Sequence, residues 1–103
     1  MAELVVVSAN LMDIQRFRQL VPELVVVRPH EVATSSSIDP SSVVMVDVGE
    51  EVDLAGVVAR SARVVAYGPH VDRERLDAAR AAGCHDVLPR SAVARWLATF
   101  SGI

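Results

Sequence analysis

Few residues in this sequence have the type and setting for chemistry, and one carboxylate leads them. Asp47 closes the apolar run Val43-Val44-Met45-Val46 and precedes Val48-Gly49. A carboxylate there can accept a group, hold a cation or cap the loop that follows. Ser8-Ala9-Asn10 stands in the equivalent place after Leu4-Val5-Val6-Val7, and Gly68-Pro69-His70 after Val64-Val65-Ala66-Tyr67. Arg90-Ser91 joins a guanidinium to the N–H groups of a helix start, a pattern suited to an anion. The purely local alternative makes Ser91 a helix N-cap and salt-bridges Arg90 to Asp47. Cys84-His85-Asp86 lacks metal-ligand spacing and reads as a solvent-side turn. No Ser, His and Asp converge, and there is no glycine-rich phosphate loop. Neither a metal nor a cofactor is expected.

Composition narrows the classes further. The chain has 103 residues, 51% of them hydrophobic, a formal net charge of −3 and a mean hydropathy of +0.34. That is one domain, residues 1–103, with a core that needs no disulfide. All ten basic residues are arginine, which excludes lysine-dependent chemistry. The single cysteine, Cys84, excludes an internal disulfide and any CxxC pair. A net negative charge with no basic, aromatic-bearing stripe argues against nucleic acid. No apolar run is long enough to span a bilayer, and Met1-Ala2-Glu3 has no basic leader start. A cytoplasmic domain with no membrane contact is the expectation.

The elements that must position these residues are legible in the valines. Four continuous apolar runs, 4–7, 24–27, 43–46 and 64–67, and a weaker fifth at Asp86-Val87-Leu88, read as strands buried on both faces. Gaps of about 14 to 18 residues suit helical crossovers between parallel strands. The first helix shows Met12, Phe17, Leu20 and Val21 inward, with Asp13, Gln15, Arg16, Arg18 and Gln19 toward water, and stops at Pro22. His30 to Ser42 predicts a short helix and a loop, and Asp53 to Arg60 a brief helix. Asp72 caps a helix ending at Gly83, and Val93, Trp96, Leu97 and Phe100 mark the last one. The fold class is therefore α/β: a three-layer α/β/α sandwich on a five-stranded parallel sheet of order 2-1-3-4-5, flavodoxin-like. Its functional edge is the carboxyl end of the strands.

At that edge the sequence resembles the receiver domains of two-component response regulators. Asp47 matches their phospho-accepting aspartate at the end of the third strand. Ala82-Gly83-Cys84-His85-Asp86-Val87-Leu88-Pro89-Arg90-Ser91 is similar to the receiver segment Ala-Gly-Ala-x-Asp-Tyr-Leu-x-Lys-Pro. The departures are as informative. Ser8 and Ala9 stand where receivers carry a magnesium-binding acidic pair, and Gly68 where they carry Thr or Ser. Arg90 and Ser91 replace the lysine and proline, and Val87 the aromatic switch residue.

These losses point one way. Phosphoryl transfer to a carboxylate needs magnesium and a cation to offset anionic oxygens, and Arg90 is no geometric substitute for lysine. The resemblance then implies a non-enzymatic pseudo-receiver that signals through protein–protein contact. Its surface would be the one receivers use for partners or homodimers: fourth helix, fifth strand and fifth helix. Arg73, Asp77, Arg80 and Arg95 are its candidate residues. One rival is an atypical phospho-acceptor using Asp47. The other is a small anion or nucleotide binder built from Ser8, Asn10, Gly68, Arg90 and Ser91.

Overall fold

The computed structural model describes residues 3–101. Five parallel strands, β1 (Glu3–Val7), β2 (Val25–Val27), β3 (Ser42–Asp47), β4 (Arg63–Gly68) and β5 (Asp86–Pro89), form one sheet of order β2-β1-β3-β4-β5. Sheet order and class are those read from the sequence. The register sets valine beside valine: Val5 pairs with Val25 on one side and Val44 on the other, and Val44 pairs with Val64. β-branched side chains are stiff and fill both faces of such a sheet, so the runs need no alternation.

Four α-helices cover it: α1 (Leu11–Leu20), α2 (Leu54–Arg60), α3 (Arg73–Ala81) and α4 (Val93–Ser101). Asn10, Asp53 and Asp72 cap the first three by accepting helix N–H groups. Gly83 lies just past α3 at φ 98°, a left-handed conformation that ends the helix and that a side chain would strain. One face of the sheet, with Val6, Met45, Val65 and Tyr67, packs on Phe17 and Val21 and on Val93 and Leu97. The other face, with Val5, Val7, Val44 and Val64, packs on Val57, Val32 and Ile38. Leu76 and Ala79 seat α3 against Ala66 and Val48.

The first helix corrects the sequence reading. Met12 and Leu20 are exposed, while Ile14 and Phe17 face the core and Asp13 is buried with them. The Asn10 cap sets the phase of α1, and that phase turns Met12 outward. Asp13 tolerates burial because it has a cationic partner, described below.

The second crossover also differs. It holds only a 3₁₀ turn, Pro29–Glu31, followed by turns, so the expected fourth and fifth helices are α3 and α4. The segment is held by a long-range contact. Arg60, at the end of α2, donates Nη1 to the Val32 carbonyl at 2.9 Å and Nη2 to the Ser35 carbonyl at 3.1 Å. Arg60→Ala should therefore cost about 2 kcal/mol in urea denaturation, since hydrogen bonds from a charged donor exceed neutral ones. Amide exchange should quicken across residues 33–38. A cost within about 0.5 kcal/mol would show that the fork holds nothing.

Candidate functional site

The carboxyl edge of the sheet gathers the sequence candidates. Ser8 is buried after β1, and its Oγ accepts the Asn10 N–H at 3.0 Å. Asn10 is spent as the α1 cap, its Oδ1 accepting the Met12 and Asp13 N–H groups, each at 3.1 Å. Asp47 is 5% exposed, and its Oδ1 accepts the Gly49 N–H at 2.9 Å. That carboxylate thus caps its own loop.

Arg90 does not pair with Asp47 as the sequence reading expected. Its Nη1 donates to Asp13 Oδ2, in an ion pair across 77 positions of sequence. The guanidinium also lies over the Tyr67 ring, 5.6 Å from its centroid. Burial works against the Arg90 charge, but the hydrogen bond and charge of Asp13, with Asp47 behind it, push its pKa up. The cation that sequence reasoning assigned to Asp47 is committed elsewhere. Its position stays fixed because Arg90–Ala92 is a 3₁₀ turn that starts from Pro89, and Ser91 is an exposed member of that turn rather than an N-cap.

Sequence reasoning missed Asp13 and Tyr67. The signal for Asp13 was present: it lies four residues before Phe17, on the same helical face. Tyr67 is fully buried on β4, and its ring meets Phe17 edge to face at 5.5 Å. Ser8 is its polar neighbour, yet no hydrogen bond of good geometry satisfies the phenol among the described residues. Burial raises its pKa above the usual tyrosine value, and the charges of Asp47 and Asp13 push the same way.

Gly68 has a packing cause. A Cβ there would sit 2.4 Å from Val48 Cγ2, so Val48 fills the space of any side chain at this position. A hydroxyl-bearing residue would have to displace buried Val48. Beside Asp47 a pocket of about 150 Å³ opens, rimmed by Glu50, Glu51 and Arg75. Arg75 reaches across from α3 to the Gly49 carbonyl, 3.5 Å away. The rim adds carboxylates to a carboxylate.

The other candidates lie apart from this edge. Arg73, Asp77 and Arg80 are exposed and, with His70, Leu76 and Pro89, line a groove of about 360 Å³ between α3 and β5. Arg80 is ion-paired to Asp77 at 2.7 Å. Arg95 is exposed on α4 and does not line that groove. Cys84 and His85 precede β5, on the opposite edge from His70, and His85 Nδ1 accepts the Val64 N–H at 3.0 Å.

The class of fold these features define is the receiver type, a five-stranded parallel α/β sandwich with an aspartate at the end of β3. Among solved structures, the chain is similar to a response regulator from Colwellia psychrerythraea, with a TM-score of 0.71. The match covers 98% of this chain and 97% of that one at 11% sequence identity, so it is a likeness of fold. No protein-family model and no curated protein matches the sequence. Among the described residues, no helix is long and apolar enough to cross a membrane.

The unsatisfied phenol sets a test. Tyr67→Phe removes a buried polar group that gains no hydrogen bond, so stability should hold or rise by about 1 kcal/mol. A phenol whose folded pKa is raised stabilises the fold fully below about 10, its unfolded value, and that contribution is lost as pH rises beyond it. The wild type should therefore lose stability above about pH 10 and the variant should lose less. Burial also pushes the half-buried Cys84 thiol up, which starts the fall nearer 9 in both proteins. With no lysine and one tyrosine in the chain, that alkaline limb is simple to read. A variant less stable at neutral pH, or with an unchanged alkaline limb, would show that the hydroxyl is satisfied.

Proposed function

We propose that this domain is a pseudo-receiver: a non-enzymatic signalling module that works by protein–protein contact through α3, β5 and α4. The observation that carries the reading is the closed pair Arg90–Asp13, stacked on Tyr67. Phosphoryl transfer to Asp47 would need a free cation beside it, because three anionic oxygens would approach an anion. The neighbouring Arg90 is held by Asp13, the pocket rim carries Glu50 and Glu51, and the rim's Arg75 is turned to the Gly49 carbonyl rather than to the Asp47 carboxylate. Val48 fills the space beside Gly68, where a receiver's hydroxyl would help. The same ion pair weakens the case for anion or nucleotide binding at Ser8, Asp47 and Arg90.

With the edge closed, recognition falls to a helical face. The groove between α3 and β5 offers apolar Leu76 and Pro89 between Arg73 and the Asp77–Arg80 pair. Arginine is enriched at interfaces because its stem packs while its fork bonds. A partner or a second copy of the chain would dock there, with Arg95 extending the surface along α4.

Intact mass after incubation with acetyl phosphate and magnesium should show no phosphoryl adduct, and phosphate or nucleotides should not raise the melting temperature. Arg73→Ala and Arg80→Ala should each leave stability within about 0.5 kcal/mol. At least one should weaken self-association or partner capture tenfold, about 1.4 kcal/mol. An adduct that disappears in Asp47→Asn would make the domain a working phospho-acceptor. A nucleotide-induced thermal shift lost in Arg90→Ala would make it a ligand binder.

A further inference from the structure

The second crossover leaves a gap in one helical layer. On the side of the sheet that carries Val5, Val7 and Val27, α2 and α3 are the only α-helices, and the rest is covered by the 3₁₀ turn and its following loop. Between that turn and α2 lies a groove of about 260 Å³. Buried Val32 and Val57 form its floor, and half-buried Pro29 and Val52 form its walls. Ala33, exposed at its margin, leaves the entrance open. The volume suits one or two side chains and falls below the usual range for small-molecule pockets, about 300–1,000 Å³.

The rim is acidic. Glu51 and Asp53 border the groove and both are exposed. They belong to the segment Asp47-Val48-Gly49-Glu50-Glu51-Val52-Asp53, which has four carboxylates and no cation of its own; Arg75 meets it at Gly49 and does not line the groove. The one guanidinium in the groove, that of Arg60, already donates to the Val32 and Ser35 carbonyls. His30 is the other basic group there. The surface field therefore favours a cationic partner, and complementary charge is what steers and orients docking.

We propose that this groove is a second docking site, distinct from the α3–β5–α4 face, and that it takes a basic amphipathic helix of a partner protein. An apolar side chain of that helix enters over Val32 and Val57 while flanking Lys or Arg side chains meet Glu51 and the exposed carboxylate oxygens of the rim. A helix is the element that fits because the groove runs beside a helix, α2, and the second crossover supplies only a 3₁₀ turn on its other side. The alternative, a strand added to the sheet edge, would find only the three residues of β2.

The test is selection from a displayed library of amphipathic helices whose polar positions are randomised between acidic and basic residues. Binders should be enriched in Lys and Arg beside Leu or Ile. A selected peptide, titrated into isotopically labelled domain, should move the amide signals of residues 29–33 and 51–57. Glu51→Lys and, separately, Ala33→Trp at the entrance should each weaken binding at least tenfold while the melting temperature holds. Arg18→Ala, on the opposite helical layer, should change nothing. Binders without basic enrichment, signals that move on α3 and α4 instead, or binding indifferent to both groove variants would overturn the assignment.

Discussion

The ion pair between Arg90 and Asp13 organises the functional edge of this fold. It ties the first turn of α1 to the turn between β5 and α4, so the two helices on that side of the sheet are joined at one end. Asp13 is almost fully buried and Arg90 about one-third exposed in its side chain. Breaking such a pair from one side strands a charge, which costs far more than the pair contributes when intact. The tyrosine beneath it adds a third member: the guanidinium covers the Tyr67 ring, and the ring packs on Phe17 of the same helix as Asp13. Charge, ring and helix are therefore one unit, and nothing in it is left over for chemistry at Asp47.

The strands were readable in the sequence because valine runs admit few alternatives, and their spacing implied parallel crossovers. The cap Asp72 and the break at Gly83 were readable for the same local reason, each acting within its own few residues, while Asp53, read as the first residue of a brief helix, is its cap. The edge was legible as a place but not as an arrangement. Asp47, Ser8, Gly68 and Arg90 do meet there, yet the partner of Arg90 depended on the phase of α1. Averaged periodicity turned Asp13 to water, whereas in the fold it is buried beside Ile14 and Phe17. The missing second-crossover helix was half legible, as a serine tract and Asp39-Pro40 in place of a stripe. What takes its place, the Arg60 fork, joins residues 25 and 28 positions apart and leaves no periodic signal.

The departures from a receiver's usual residues support one another physically. Once Gly68 carries no side chain, Val48 can settle into the space, and once Val48 is there no larger residue can return without moving it. Arg90 is drawn to Asp13, and its guanidinium does not pair with Asp47. Asp47 then keeps a role that needs no ligand, accepting the Gly49 N–H and shaping the turn into α2.

The consequence is a division of labour across the surface. The central strands are sealed by helices or, at one place, by a turn, and the sheet is open at its two edges, β2 and β5. The side chains exposed on the covering layer are unevenly charged. On α3 the charges alternate, with Arg80 held by Asp77 and Arg75 leaning on Asp72. Around the N-terminus of α2 the carboxylates Glu50, Glu51 and Asp53 stand together. The two surfaces differ because the caps that start α2 and α3 are both aspartates, but only α3 carries arginines in its exposed turns to balance its cap.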